Sequence, residues 1–471
     1  MKLLTQVLKH VPEFQQLLAA IDNGQCPAAV SGLSAVHRAH FAAAIRGLTQ
    51  RPVVMICADE SESERMAKDL AFLTGAQVPV LSSRSFTFHN AATVSRQWEH
   101  RRLALMRAMA ADEIPVLVCT VEGLLQRTLT RHALTQCCVT LEVGQTCDLN
   151  QLAETLVSAG YSRCDQVEGV GQFALRGGIL DVFSPGMEGP VRAEFWGDEL
   201  DSMGRFDPTS QRRSENISQA VLLPAAETLP QLTPGGIGAL LKAFDKMEAR
   251  AAKNGHTDLC ATLRQDREAL EQGRSFPATD RYLPLIYPEL STAADFIPAD
   301  ACVLFSESSR VAERAKSWQW QMEEDTKTLM ERGILDGSCA QLGRSFQQLC
   351  ALLEDFPAAY LDSFTLASYP TPPRCLLSVM AKQLPSFGAS LETAVSDLAH
   401  YQNAGLGSMV LVSSEQRALN LQSLLREQKV KAAVEFQPKD LPKPGTTTIC
   451  VGGLSAGMEY PDLRGPGRRR I

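Results

Sequence analysis

Residues 160–213 hold the densest turn punctuation and the strictest alternation in the chain, and they limit its fold more than any other stretch. QFALR (172–176), ILDVF (179–183), VRAEFW (191–196) and ELDSM (199–203) read as short strands. Gly177-Gly178 separates the first two and Gly197-Asp198 the last two. A two-residue Gly-Asp loop is a hairpin signal. Period two places Val191, Ala193 and Phe195 on one face and Arg192, Glu194 and Trp196 on the other. In the first strand Phe173 and Leu175 share a face, with Gln172, Ala174 and Arg176 opposite. The apolar face is expected to pack against the helix that enters this unit. The other face shows two arginines and a tryptophan, residue types enriched where proteins bind each other. The plainer alternative is that Trp196 covers its neighbours and Arg192 pairs with Glu194 or Glu199.

The chain has 471 residues, room for three or four domains. Its 46 Lys and Arg against 53 Asp and Glu leave a net charge of −7, so no global basic field draws nucleic acid. Thirteen cysteines lie scattered without a CxxC pair. With no signal segment and no apolar run near the ~18 residues of a membrane span, a reducing cytoplasm, free thiols, no metal and no membrane are expected.

The remaining chain alternates strand and helix, the pattern of a parallel α/β sheet. Residues 1–24 read as one helix. CPAAVSGLS, then VHRAHFAAAIRGL, has the strand–turn–helix layout of a phosphate-binding loop. RPVVMICAD is a buried strand; the helix after it has a Ser61/Glu64 capping box and stops at Gly75. Asp59-Glu60 invites a Mg²⁺-site reading, discounted because no ligand set is complete around it. Arg96, Arg101 and Arg102 are expected on a solvated helix face. Asp148 caps the helix before Gly160, whose apolar stripe is Leu152, Leu156 and Val157. Long polar helices fill 231–290. ACVLFSES is a strand. From about residue 386 a small α/β unit begins, with Ser414 as a helix cap. The closing RGPGRRRI is neither apolar nor strand-like, so the last sheet is expected one strand short.

GYSRCDQVEGVGQFALRGGILDVFSPG, PVRAEFWGDELDSMGRFDP and the pair Gln211-Arg212 resemble the signature of the UvrA-binding domain shared by UvrB and the bacterial transcription-repair coupling factor. SRQWEHRRLALM and VCTVEGLLQR resemble the coupling factor's first, UvrB-like domain. The resemblance implies the N-terminal part of a coupling factor, cut before its RNA-polymerase-binding and motor domains. The implied fold is α/β: a degenerate P-loop parallel-sheet domain (1–140 and 226–380), an inserted α+β UvrA-binding domain (141–225) and a small C-terminal α/β domain (386–471). The UvrA contacts it implies are Arg176, Arg192 and Trp196. Aligned on the family's loop, Val36, His37 and Arg38 stand at the Gly-Lys-Thr positions. A working loop needs backbone approach, a lysine for phosphate and a hydroxyl for Mg²⁺. The expectation is therefore a non-catalytic chain with no cofactor. UvrA is its partner, DNA contact is at most weak, and RNA polymerase is reached only through domains beyond residue 471. The competing reading, an ATP-dependent DNA translocase, follows from the parent family and is opposed by His37. UvrB itself is a weaker alternative.

Overall fold

Four short, mostly apolar runs are buried at every position: AAVS, VVMIC, VLVCT and CVLFS. Strands buried on both faces belong in a parallel sheet covered by helices. A computed structural model, which describes residues 2–89, 95–272, 274, 276–384, 391–461 and 469–470, shows that sheet. Its seven strands run in the order Cys375–Ser378, Ala28–Ser31, Ala358–Leu361, Cys302–Ser306, Val53–Cys57, Val116–Thr120, Val80–Leu81. Every pairing among them is parallel. Segments from before residue 121 and after residue 301 thus interleave in one sheet. The chain between them is an excursion that leaves and returns.

A two-stranded antiparallel neck holds that excursion, with Val139–Glu142 against Gln219–Leu222. Beyond the neck stands a six-stranded sheet ordered Arg213–Asn216, Glu199–Phe206, Val191–Trp196, Ile179–Phe183, Gln172–Arg176, Ser162–Arg163. Helix Leu149–Ser158 covers one face. Leu152 and Leu156 pack with Phe173, Leu180, Val182, Val191, Ala193 and Phe195, the apolar set that alternation assigns. Asp148 caps this helix, accepting from the N–H of Asn150 (2.8 Å) and Gln151 (3.2 Å). Val157 does not join the stripe. It is exposed, because it follows Leu156 by one helical step and turns to the other side.

A buried polar network anchors the returning chain. Glu227 is fully buried and accepts from Arg102 Nε (3.0 Å) and Thr128 Oγ1 (2.7 Å). Arg84 donates to both oxygens of Asp280 (2.8 and 3.0 Å), and Thr228 also donates to Asp280. Arg102 is therefore not on a solvated face. It lies on the inner side of helix Gln97–Ala110 and also donates to the carbonyls of Ser82 and Gly123. Arg101, one step round, is exposed over the ring of Trp98.

Three local expectations are corrected by backbone chemistry. The first helix is broken into Lys2–Thr5, a tight turn at Gln6–His10, and Pro12–Asp22. Pro12 lacks an N–H and fits only at a helix start. The second α/β helix, Glu60–Thr74, is capped by Asp59 rather than Ser61: Asp59 Oδ1 accepts from Glu62 N at 2.8 Å. At the C-terminus, Arg469–Arg470 pair in parallel with Gly407-Ser408, supplying the strand that the composition argued against. Parallel pairing uses backbone N–H and C=O groups, which an arginine carries as a valine does. The rest of RGPGRRRI lies outside the described residues.

The last sheet runs Lys382–Leu384, Gly457–Glu459, Arg469–Arg470, Gly407–Val412, Thr447–Val451, Ala432–Val434. It is joined to the large sheet: Met409, Cys450, Met458 and Tyr460 share one apolar core with Val53, Met55 and Val118. Among the described residues no helix is long and apolar enough to cross a membrane.

The Glu227 network gives a stability prediction. Glu227→Gln removes the charge facing Arg102 and Arg84 and should lower unfolding stability by about 3 kcal/mol, read as a shift in urea midpoint. Asp280 adds a pH dependence. Its buried carboxyl starts from a desolvation penalty, which Arg84 and three hydrogen bonds outweigh, leaving its pKa below the ordinary 3.8. Its stabilisation is full above pH 3.8 and is lost as pH falls further through the folded value.

Candidate functional site: a guanidinium and indole face

The uncovered face of the inserted sheet is built by register. Asp181 lies opposite Arg192 on one side and Ala174 on the other, and Arg176 lies opposite Ile179. Arg176, Asp181 and Arg192 therefore meet across three adjacent strands. Arg192 forms a two-point pair with Asp181, Nε to Oδ1 at 2.7 Å and Nη2 to Oδ2 at 2.8 Å. Arg176 Nη2 reaches the same Oδ2 at 3.1 Å. The Asp181 side chain is only 1% exposed, against 21% for Arg192 and 56% for Arg176. Arg192 is braced further. Its guanidinium stacks 4.7 Å from the Phe206 ring centre, and Gln211 accepts from it through side chain (3.2 Å) and backbone (3.4 Å). The hydrogen bond to Asp181 raises the Arg192 pKa further above its ordinary value.

Trp196 closes the hairpin at Gly197-Asp198 and is 85% exposed, with Ile179 also open on the same face. The face is not wholly solvent-facing, as alternation alone implies. Ala174 and Phe206 are buried there beneath Val167. Gln172 pins the covering loop by accepting from the N–H of Glu168 (2.9 Å) and Gly169 (3.0 Å). Nor does Arg192 pair with Glu194 or Glu199. Glu194 accepts from Ser202 and sits 3.5 Å from Arg213. Trp196 covers no neighbour at that exposure. Asp181 is the residue that reading the sequence missed. Its signal was there: an acid between Leu180 and Val182, on the parity that faces Arg192 once the two strands are paired.

The second candidate region is the turn after strand Ala28–Ser31. Gly32 has φ +86°, and a Cβ there would collide with the carbonyl of Val379. Val379 continues the neighbouring edge strand, its N–H donating to the Ser31 carbonyl at 2.9 Å, so the chain's own backbone runs close beside the turn. Val36, His37 and Arg38 are all buried. His37 Nδ1 lies 2.7 Å from Ser34 Oγ, and its ring meets Tyr460 edge-on at 5.1 Å. Arg38 binds Glu307, donates to the Leu33 carbonyl at 2.9 Å and sits 3.6 Å from Glu62. Asp59, besides capping its helix, pairs with Arg310 at 3.1 Å. Strand carboxyl ends, where open α/β sheets take ligands, are here bridged by arginine–carboxylate contacts. Among the described residues no group of three or more His, Cys, Asp or Glu is placed to hold a metal ion.

The guanidinium and indole face offers a surface. Residues 139–227 match the UvrB interaction domain family. Over nearly its whole length the chain is also similar to the N-terminal region of transcription-repair-coupling factors. The Bacillus subtilis (strain 168) protein is 25% identical over 463 residues, covering 97% of this chain and 39% of that protein. That of Staphylococcus haemolyticus is 25% identical over 448 residues (92% and 37%), and that of Staphylococcus aureus USA300 25% over 474 (98% and 39%). The chain thus spans well under half the length of these relatives. The UvrB interaction domain coincides with the excursion between neck strands, and the resemblance read from residues 160–213 is the one these comparisons return.

The two buried imidazoles beside Tyr460 carry a testable pH dependence. Burial, above all, lowers both His37 and His40 from 6.5 to about 4. In the unfolded chain they take up protons near pH 6.5 and in the folded chain only near 4. Stability is therefore full above 6.5 and falls as the pH drops toward 4. Replacing the pair (His37→Asn with His40→Gln) should flatten the slope of unfolding free energy between pH 6.5 and 5. An unchanged slope there contradicts the burial of neutral rings.

Proposed function

We propose that this chain acts as a binding protein that recruits UvrA, coupling nucleotide excision repair to stalled transcription, and that it performs no ATP-driven chemistry itself. The observation that carries this reading is the indole of Trp196, left 85% exposed at a hairpin tip on the same sheet face as the half-exposed Arg176. An aromatic ring so exposed is unfavourable in water and typical of an interface centre. Among the described residues Arg176 has a single hydrogen-bond partner, at 3.1 Å, so most of its fork is open to a carboxylate on the partner. The UvrB interaction domain match and the coupling-factor relatives support the same partner.

The filled turn after Ala28–Ser31 supports the second half of the reading. Phosphate binding there would require breaking the pairing of Arg38 with Glu307. RNA polymerase and DNA translocation are left to the portion of the relatives that this chain does not span.

Titration of UvrA onto the purified chain tests the recruitment. Trp196→Ala and Arg176→Ala should each weaken binding by about thirtyfold, or ~2 kcal/mol, with melting temperature unchanged in Trp196→Ala because that side chain is exposed. Wild-type affinity in the double variant rejects the assignment. ATP with Mg²⁺ should leave the melting temperature where it was; an upward shift contradicts the closed turn.

A further inference from the structure

Three groups of the face converge on one carboxylate, and nothing so far assigns that carboxylate a role. We propose that Asp181 is a positioning residue of the UvrA-binding face. It acts through Arg192 and Arg176, with Gln211 as its brace, and the surface it shapes takes an acidic side chain. This rests on the recruitment reading above.

Asp181 sits in the central part of the sheet, 1% exposed, where a partner protein cannot reach it. Its two oxygens receive three donors from two arginines on flanking strands. A carboxylate taken out of water is costly unless paired and hydrogen-bonded, so this geometry is strongly held. Holding it has an outward consequence. A free arginine side chain is long and rotamer-rich, and freezing it on binding costs affinity. Tied at one Nη2, Arg176 is pre-ordered with its remaining N–H groups toward solvent. Arg192 is spent differently. Nε and Nη2 go to Asp181, and Nη1 and Nη2 reach Gln211. Its flat side lies on Phe206. Gln211 reaches this position from a left-handed turn (φ +59°), rare for a residue with a side chain, and its Nε2 is fixed on the Pro208 carbonyl at 2.8 Å. Arg192 is therefore the rigid wall against which Arg176 is set. The outer surface sets the Arg176 guanidinium beside apolar Ile179, with Glu194, held by Ser202 and Arg213, on the next strand and Trp196 at the hairpin end; the remaining N–H groups of Arg176 match a carboxylate on the partner.

Charge alone and positioning predict opposite signs, and this decides the test. If the partner is acidic, deleting a negative charge from beneath the face should strengthen binding. If Asp181 positions the arginines, the same change should weaken it. Asp181→Asn, assayed for UvrA binding on the full chain with fold checked by near-ultraviolet circular dichroism, is expected to bind about tenfold more weakly. Equal or tighter binding by the folded variant overturns the proposal. Should Asp181→Asn fail to fold, Asp181→Glu keeps the charge but displaces both forks by one methylene. It too is expected to lose about tenfold, and wild-type affinity there overturns positioning. Trp196→Ala, which does not touch Asp181, separates the two levels. If it leaves UvrA binding intact, the recruitment reading fails, and with it this role. If it weakens binding while both Asp181 variants bind as wild type, only the positioning role fails.

Discussion

A single buried carboxylate organises the exposed face of the inserted sheet. Asp181 holds two guanidiniums, one from each flanking strand, and thereby converts two flexible side chains into fixed geometry. Its cost is desolvation, which the pairing offsets only while the three strands keep their register. A slip of one residue would turn Asp181 into the apolar core and Leu180 outward. The helix Leu149–Ser158 on the opposite face prevents that slip by burying Phe173, Leu180, Val191 and Ala193 together. The exposed face and the core beneath it are thus specified by the same alternation.

The large α/β sheet serves as a mount. The excursion leaves and re-enters through a two-stranded neck, and the returning chain is locked at Glu227 and Thr228 by Arg102, Thr128 and Asp280. The place where such sheets bind nucleotide is closed by Arg38, Glu307 and Glu62. Tyr460, from the last unit, covers the adjacent helix through His40 at 2.9 Å.

Much of this was legible in the residues. Hairpins at Gly177-Gly178 and Gly197-Asp198, the apolar face and the Asp148 cap follow from local rules, because turn chemistry and period two act over a few residues. The parallel α/β sheet followed from strand–helix alternation. Apart from the helix break at Pro12 and the Asp59 cap, what failed was long-range. Arg102 looked solvated because its partners Ser82, Gly123 and Glu227 are brought by folding, not by sequence spacing. Asp181 went unread because its meaning depends on which strands become neighbours. Arg469–Arg470 pair through backbone, which leaves no trace in side-chain pattern. The grouping of Arg176, Arg192 and Trp196 was expected on one face, and there they lie; their contact with UvrA remains a proposal for experiment.

Amide hydrogen exchange of the full chain with and without UvrA tests the central claim most directly. The account predicts protection concentrated at 172–181 and 191–199, the hairpin ends that carry Arg176, Ile179 and Trp196, with the large sheet unchanged. Protection located on the α/β sheet or the last unit, with those hairpins exchanging as before, would contradict it.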